Sequence, residues 1–368
     1  MAIFKFNNIK ITGIAGAVPK NIVKPTDFVD AFGEEEVNKF MEMTGVRETR
    51  RTLEHQTASD LGFTAADALL KKKNLDPAEI GAVIFASHSQ DYRRPATAFI
   101  LQKRLGVPAE AVVFDIGLAC SSLIYGVQAV GSMMNSSDIS KALLILGDTA
   151  GKSVYPTDRS STMLFGESGT ALLLEKTEEE NNINALVRSD GNGYRYMIIP
   201  AGGYRNLNAD HEVTMCQDGN PRTLHNSFIQ GTSVFTFTIF DVPRVLKDFW
   251  ALTNTTVEDY DCFAFHQANL YILKQIAKKV KIPLEKMPLS LDKYGNTSGA
   301  SPLISLCDAF GNTENKRLNT LFCGFGIGLS WGVFSAEINS SDILPIIEDD
   351  SVFEEGIINS PNELYSGM

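Results

Sequence analysis

Cysteine is scarce in this 368-residue chain, and its spacing excludes the frameworks that cysteine usually builds. The five cysteines are odd in number and never form a C-x-x-C pair, which argues against a disulfide scaffold or a zinc site and favours a reducing compartment. No apolar run approaches the roughly 18 residues of a membrane span. The N-terminus alternates like a strand and lacks the unbroken apolar stretch of a signal peptide. We therefore expect a cytoplasmic protein with no metal site and no membrane segment.

Positive charge is also in short supply. The formal net charge of −11 argues against nucleic acid as a partner. Seven of the acids lie in residues 341–368, which contain no lysine or arginine, so that the first 340 residues carry only −4. We call residues 341–368 the acidic tail. It is either a loosely held appendage or a segment that docks through its aliphatic residues, and the sequence leaves both open.

Strand-like and helical segments alternate along the chain, and no low-complexity linker separates them. Apolar runs typical of buried strands lie at 82–87, 112–117, 142–148 and 171–175. Helical patterns separate these runs, and this alternation is typical of sheets covered by helices. The second half of the chain repeats the rhythm, which indicates a weak internal duplication.

This pattern predicts an α/β protein made of two halves that each combine strands and helices. We place the N-terminal half at 1–180 and the C-terminal half at 233–340, with the acidic tail beyond it. Between the halves, residues 181–232 become rich in Gly, Asn and Asp from Gly191 onward, which predicts loops that cap a pocket.

Cys120 is the first candidate catalytic residue, because of where its thiol falls in the sequence. An apolar run ends at Gly117, and a helix of small residues follows in LACSSLIYGVQAVG. A thiol at a helix N-terminus lies near unpaired N–H groups, which lower its pKa and make it a nucleophile. The alternative is that Cys120 only fills space, since free cysteine is among the most buried residue types.

His266 and Asn296 occupy comparable positions in the second half. His266 ends an apolar strand in AFHQANL, so its imidazole should reach a crevice at the sheet edge, where ligands bind in α/β folds; a structural histidine is the alternative. Asn296 lies between glycines in KYGNTSGASP, where it either serves the same site or caps the following helix. The glycine-rich stretch GFGIGLSWG permits close backbone approach, and its N–H groups suit an oxyanion site.

Together, and in this order, these segments resemble the motifs of the ketoacyl-acyl carrier protein (ACP) synthase III family of the thiolase superfamily. The motifs are TGVRETRR, DIGLACSSLIYG, PTDRSSTMLFGESGTALLLE, HQANLYILKQIAKK, YGNTSGASP and GFGIGLSWG. The resemblance runs from Ile11 to Glu337 and implies a thiolase-like fold, in which two pseudo-duplicated βα halves form αβαβα layers. It also implies a homodimer, ACP and acyl thioesters as partners, and no cofactor.

The resemblance further implies a mechanism for these residues. Cys120 is acylated by an acyl thioester, and His266 and Asn296 hydrogen-bond the thioester carbonyl of malonyl-ACP. Loss of CO2 gives an enolate that attacks the acyl-cysteine. This reaction is a decarboxylative Claisen condensation, as used in the synthesis of fatty acids or of specialised lipids and polyketides. Backbone N–H groups of Cys120 and Ile327 form the oxyanion hole, and a neutral His and a neutral Asn both suit as donors.

The residues that bind CoA in the family are mostly replaced here. Lys39 and Met43 stand where a Trp and an Arg grip the CoA nucleotide, and Tyr271 replaces a further Arg. Arg159, in PTDRSS, keeps the pattern and is the expected contact for CoA or pantetheine. Because the stacking platform and most phosphate contacts are lost, we expect an acyl-ACP or a specialised acyl donor.

The acyl pocket also departs from the family. In the family, a residue that is usually apolar closes the acyl pocket, and in this chain Arg94 of DYRRPATAF occupies its place. Arg93 and Arg94 either meet a polar substrate or are solvated loop residues. Ile327 replaces a glycine, which keeps a backbone donor but reshapes the nearby pocket. Both changes indicate a divergent, pathway-specific member.

A lysine face is predicted beside the site. Lys274, Lys278 and Lys281 follow helical spacing, and no acid occurs between Cys262 and Leu284. In an acidic protein this face suits the acidic helix of ACP, although a solvated amphipathic helix has the same pattern.

Other functions fit parts of the pattern. An enzyme of the same fold can transfer the acyl group to oxygen or nitrogen without decarboxylation, but retaining His266 and Asn296 argues for condensation. A non-catalytic partner subunit commonly lacks the cysteine that this chain keeps. A thiolase would need a second catalytic cysteine, and Cys323 lies in a strand-like stretch instead.

Overall fold

In the computed structural model, which describes residues 3–179 and 182–365, the chain builds two β-sheets and packs helices on and between them. The strands of these sheets are β1 Ile3–Phe6, β2 Ile9–Val18, β3 Ala82–Ala86, β4 Val112–Ile116, β5 Lys141–Asp148, β6 Ser168–Lys176, β7 Ile183–Ser189, β8 Cys262–Phe265, β9 Arg317–Gly326, β10 Ser330–Asn339 and β11 Ile347–Glu348. The longer helices are α1 Glu34–Thr44, α2 Ala58–Lys73, α3 Thr97–Leu105, α4 Ser122–Asn135, α5 Gly231–Thr253, α6 Leu270–Val280 and α7 Ser301–Phe310. Single helical turns form at Val29–Phe32 and Leu291–Tyr294. None of the described helices combines the length and the apolar character that crossing a bilayer requires.

The first sheet has six strands in the order β11–β2–β6–β5–β3–β4. β3 lies parallel to both β4 and β5, while β6 runs antiparallel to its two neighbours. The strands predicted from apolar runs are confirmed as β3 to β6. Those runs are nearly continuous because helices cover both faces of the sheet.

The second sheet has five strands in the order β1–β7–β10–β9–β8. β8 and β9 are parallel, with Phe265 opposite Cys323, and the other pairs are antiparallel. Cys323 is buried inside this sheet, as expected of a strand residue.

Two helices lie between the sheets. Ile124 of α4 and Leu303 of α7 belong to the same buried core as Ile84 of the first sheet and Phe322 of the second. α2 and α3 cover the outer face of the first sheet, and α5 and α6 cover that of the second. The small residues of α4 are needed for this sandwich: a Cβ at Gly126 would lie 2.7 Å from Leu144. The αβαβα layering that the resemblance implied is confirmed.

Strand pairing crosses the domain boundaries drawn from the sequence. β1 belongs to the second sheet although it lies in the predicted N-terminal half, and β7 extends that sheet from within the predicted loop segment. Pairing with β10 stabilises β7, and this partner lies about 150 residues away in the chain. From residue 191 to 230 the segment is mostly irregular, with short strand pairs such as Met197–Ile198 with Phe228–Ile229.

The acidic tail docks on the first sheet. Ile343 and Leu344 are buried, and β11 pairs with β2 at its edge. The Glu348 carboxylate accepts a hydrogen bond of 2.8 Å from Arg50. For residues 341–365 docking is therefore the correct alternative, and residues 366–368 lie outside the described part of the chain.

Candidate active site

Cys120 lies in the turn between β4 and α4. The Ser122 N–H donates to the Ala119 carbonyl at 2.8 Å, and the helix begins at Ser122 with Ser121 as its cap. Cys120 is 5% exposed, and its Sγ lies 3.8 Å from Oγ of Ser298. The thiol thus sits at a helix N-terminus, as the sequence predicts.

Two cavities meet at Cys120. The first, about 740 Å³, is lined by Cys120, His266 and Asn296, and we call it the histidine cavity. The second, about 780 Å³, is lined by Cys120, Asp91 and Asp148, and we call it the aspartate cavity. The thiol can therefore be reached from both sides, and the structure brings together the three residues predicted to be catalytic.

His266 follows β8 directly and is held by two hydrogen bonds. Its Nδ1 lies 2.9 Å from the Ser298 carbonyl oxygen and 2.9 Å from Oγ of Ser301. A carbonyl can only accept, so Nδ1 carries the ring proton and Nε2 keeps a free lone pair. Burial lowers the pKa of His266 to about 4, so the ring is neutral at pH 7. The expectation that neutral His266 donates into the site is wrong in this arrangement, because its available nitrogen is an acceptor.

Asn296 is fixed through its own turn. Its Oδ1 accepts from the Ser298 N–H at 2.9 Å, and its Nδ2 lies 3.4 Å from the Ala268 carbonyl. Oδ1 thus holds the first N–H of the turn Ser298–Ala300, which leads into α7, and Asn296 also lines the histidine cavity. The two roles predicted as alternatives for Asn296 therefore do not exclude each other. Because Oδ1 is engaged, the amide nitrogen is the group that Asn296 offers to a ligand.

The electrostatics of Cys120 differ from the sequence prediction. Burial, with a smaller contribution from the Asp148 carboxylate, raises the pKa of the thiol to about 12. The predicted lowering by the helix N-terminus is wrong for the resting site, because removing a thiolate from water outweighs the attraction of the helix dipole. The resting nucleophile is a neutral thiol that needs a base.

The two predicted oxyanion donors differ in the resting site. Within residues 3–179 and 182–365, the N–H of Ile327 donates to no backbone carbonyl, whereas the N–H of Cys120 lies within hydrogen-bonding reach of its own Sγ. A Cβ at Gly326 would lie 2.4 Å from Cβ of Cys120, so only glycine lets this loop pack against the nucleophile. Ile327 follows this contact directly and lines the aspartate cavity together with Cys120.

Of the predicted carrier contacts, only Arg159 is among the residues that line the histidine cavity, and we call its end near Arg159, Lys39 and Tyr271 the mouth. Arg159 lines this mouth, and its Nη1 lies 3.9 Å from the Glu36 carboxylate. Lys274 and Lys278 are exposed on α6. Lys281 is instead the residue that ends α6, with a left-handed φ of 60°, so it does not continue the helical face.

Arg94 is not brought to the site of its own chain. Arg94 is exposed, and its guanidinium donates a hydrogen bond of 2.8 Å to the Tyr204 hydroxyl. It is not one of the described residues that line the histidine cavity or the aspartate cavity. The solvated-loop alternative therefore describes the position of Arg94 in this chain.

Sequence reasoning missed three residues that build the site. Ser298, in a left-handed conformation, and Ser301 hold the imidazole of His266, although both lie in the YGNTSGASP motif. Asp148 lines the aspartate cavity, and the available signal was an acid at the end of a buried strand. No group of described residues combines three or more His, Cys, Asp or Glu side chains that could hold a metal ion.

Comparison with known proteins places this geometry in a family. Residues 114–191 match 3-oxoacyl-[acyl-carrier-protein (ACP)] synthase III, and residues 251–338 match the C-terminal part of the same family. The β-ketoacyl-ACP synthase III of Clostridium perfringens strain SM101 is 32% identical over 88% of this chain and 98% of the relative. The crystal structure of a 3-oxoacyl-ACP synthase from Burkholderia xenovorans is 32% identical, with a TM-score of 0.88 over 95% of this chain and 99% of that one. With its paired cavities and its Cys, His and Asn in place, the chain belongs to the 3-oxoacyl-ACP synthase III family.

Proposed function

We propose that this chain is a condensing enzyme that takes an acyl group onto Cys120 and joins it to malonyl-ACP with loss of CO2. The observation that carries the proposal is that Cys120 lines both cavities, while His266 and Asn296 line the histidine cavity beside it. The acyl group then occupies the aspartate cavity, and the thioester arm occupies the histidine cavity. The relatives named as 3-oxoacyl-ACP synthases support this reaction.

The first half-reaction transfers the acyl group to Cys120. The thiol gives its proton to Nε2 of His266, whose lone pair is free, and the thiolate attacks the thioester carbonyl. The N–H groups of Cys120 and Ile327 stabilise the oxyanion, a contribution of typically about 3–4 kcal/mol for each donor. The carbon–sulfur bond to the carrier then breaks, and the departing carrier thiolate takes the proton from His266.

The second half-reaction depends on Asn296. Its Nδ2 donates to the thioester carbonyl of malonyl-ACP and stabilises the enolate that forms as the carboxylate leaves as CO2. The enolate carbon attacks the acyl carbonyl, the bond to Sγ of Cys120 breaks, and the released thiolate takes up one proton from solvent. Because neutral His266 holds its proton on Nδ1, Asn296 is the side-chain donor in this step.

A carrier protein fits the mouth of the histidine cavity better than the CoA nucleotide does. Lys39, Met43 and Tyr271 line the mouth, and the Tyr271 ring already stacks on a phenylalanine with centroids 5.7 Å apart. One face of the Tyr271 ring is therefore already occupied, and neither of the other two residues offers an aromatic ring to adenine. The exposed amines of Lys274 and Lys278 lie on the adjoining helix and suit the acidic surface of ACP.

The proposal includes a homodimer. β4 is the edge strand of the first sheet, and Val112 at its start is 42% exposed. An edge strand presents unpaired backbone groups that a second copy of the chain would cover. Light scattering on the purified protein measures the oligomeric state, and a monomer would remove this part of the proposal.

The acylation step is tested by intact-protein mass spectrometry after incubation with a panel of acyl-ACPs and acyl-CoAs. One acyl mass should appear on the wild type and be absent from Cys120→Ala. Addition of malonyl-ACP should discharge the adduct as a ketoacyl product with release of CO2. An adduct that malonyl-ACP leaves intact would instead indicate transfer to oxygen or nitrogen, and no adduct with any donor would indicate a non-catalytic subunit.

The carrier contact is tested by reversing charge. Lys274→Glu combined with Lys278→Glu should raise KM for malonyl-ACP by about tenfold while leaving kcat nearly unchanged, because these lysines dock the carrier and do not touch the reacting atoms. Malonyl-pantetheine, which lacks the carrier protein, is the matched control and should react equally with both proteins. A matching loss with malonyl-pantetheine would contradict the docking role.

A further inference from the structure

The aspartate cavity carries more polar side chains than a plain hydrocarbon chain needs. Ligand cavities are mostly apolar, and their few polar groups fix the orientation and identity of the ligand. Here the lining includes His88, Ser89, Gln90, Asp91, Asp148 and Lys152. Cys120 lines the same cavity, so under the proposed function these residues surround the space that the acyl group enters.

Asp148 has one carboxylate oxygen that accepts no hydrogen bond from the described residues. It ends β5 and is 4% exposed. Its Oδ1 accepts hydrogen bonds from Oγ of Ser87 at 3.0 Å, the N–H of His88 at 2.9 Å and Oγ of Ser89 at 3.2 Å. No donor within residues 3–179 and 182–365 forms a hydrogen bond with its Oδ2. This oxygen is also not fully enclosed by protein atoms. A free carboxylate oxygen therefore opens into the aspartate cavity.

The other charged groups of the cavity do not satisfy this oxygen. The Nζ of Lys152 already donates to the carbonyls of Glu54 and Gln56, at 2.8 and 2.7 Å. Asp91 is itself an acid: its Oδ2 accepts a hydrogen bond from Oγ of Ser59 at 2.7 Å, and its Oδ1 is enclosed by protein atoms without a partner in the described part of the chain. Asp148 is close enough to Cys120 to act electrostatically on its thiol. The unsatisfied acceptor thus lies near the beginning of the acyl chain.

We infer that the acyl group received by Cys120 bears a hydroxyl group near its thioester, and that this hydroxyl donates a hydrogen bond to Oδ2 of Asp148. The inference rests on the proposed function, because it concerns the acyl group that this function places on the thiol. An unsubstituted chain would displace water from Oδ2 and leave a buried acceptor unsatisfied, which is costly. A hydroxyl group replaces that water with a charge-assisted hydrogen bond.

The test compares the rates at which butyryl-ACP and each enantiomer of 3-hydroxybutyryl-ACP acylate Cys120. The wild type should prefer one hydroxyacyl enantiomer over butyryl by about tenfold. Asp148→Asn keeps an oxygen for the three donors and replaces the free acceptor with an amide N–H, so this preference should disappear. Asp138→Asn is the matched control, because Asp138 is exposed and outside both cavities, and it should keep the preference.

The outcomes separate this inference from the proposed function. Equal or faster acylation by butyryl-ACP overturns the hydroxyacyl inference and leaves the condensing activity in place. A hydroxyacyl preference that persists in Asp148→Asn overturns the role of Asp148. If no thioester acylates Cys120, the proposed function fails and the inference fails with it. If Asp148→Asn lacks the circular dichroism spectrum of the folded protein, the wild-type comparison alone decides between hydroxyacyl and alkyl groups.

Discussion

Replacing Gly326 by alanine perturbs the oxyanion hole without removing any polar group. The new Cβ would lie 2.4 Å from Cβ of Cys120 and 3.1 Å from its Sγ. Carbon atoms in contact stay about 3.5–4.0 Å apart, so the loop or the nucleophile must move by about 1 Å. The N–H of Ile327 belongs to the next residue and moves with the loop. An oxyanion donor is effective only within about 2.7–3.1 Å of the oxygen that it stabilises.

We expect acylation of Cys120 to slow by about 100-fold in Gly326→Ala. A displacement of about 1 Å typically costs this much, and losing one oxyanion donor costs about 100- to 1,000-fold. A factor of 100 corresponds to about 2.7 kcal/mol in the activation free energy. The crowding should also lower the free energy of unfolding by about 1–3 kcal/mol.

Single-turnover acylation followed by intact-protein mass spectrometry measures the rate, and urea titration measures stability. Gly203→Ala is the matched control, because a Cβ at Gly203 would meet no heavy atom within 4 Å. It should acylate like the wild type. A folded Gly326→Ala protein that also acylates at the wild-type rate would refute the assigned oxyanion hole.

Three further predictions concern stability. Burial raises the pKa values of the Cys120 and Cys262 thiols to about 12, whereas the unfolded chain releases these protons at lower pH. Above about pH 9 the free energy of unfolding should therefore fall by about 1.4 kcal/mol per pH unit for each such buried thiol. A chain that ends at Ser340 should lose about 3–6 kcal/mol, because it lacks the two aliphatic side chains that the tail buries. Arg222→Ala should lose about 3–5 kcal/mol, because it leaves a buried aspartate without its ion-pair partner.

Urea titrations test all three, each with its own control. Cys262→Ala should reduce the alkaline slope by about 1.4 kcal/mol per pH unit, and an unchanged slope would contradict the raised pKa. A chain that ends at Gly356 keeps β11 and the buried residues before it, so it should remain close to the full chain. Replacing both Asp158 and Arg222 by alanine leaves no unpaired charge. The double variant should therefore lose less unfolding free energy than the sum of the losses in the two single variants.

The apolar runs of the sequence located β3 to β6 because buried strands under helices must be apolar at nearly every position. The same reasoning located Cys120 and His266, since each follows such a strand, at the sheet edge where ligands bind. It could not assign β1 or β7 to the second sheet. Pairing partners are chosen by contacts between segments far apart in the chain, and a local pattern carries no information about them. The docking of the acidic tail was undecided for the same reason.

The sequence by itself determined the order of the elements, the helix N-terminus next to the Cys120 thiol and the segments that hold the three candidate catalytic residues. Only the tertiary structure decided how those residues are protonated. The carbonyl of Ser298 places the His266 proton on Nδ1, and burial raises the pKa of the Cys120 thiol above its ordinary value. It also decided that Asp148 lines the cavity beside Cys120. Protonation and hydrogen bonding depend on which groups surround an atom and how much water reaches it, and only the packing of distant segments sets both.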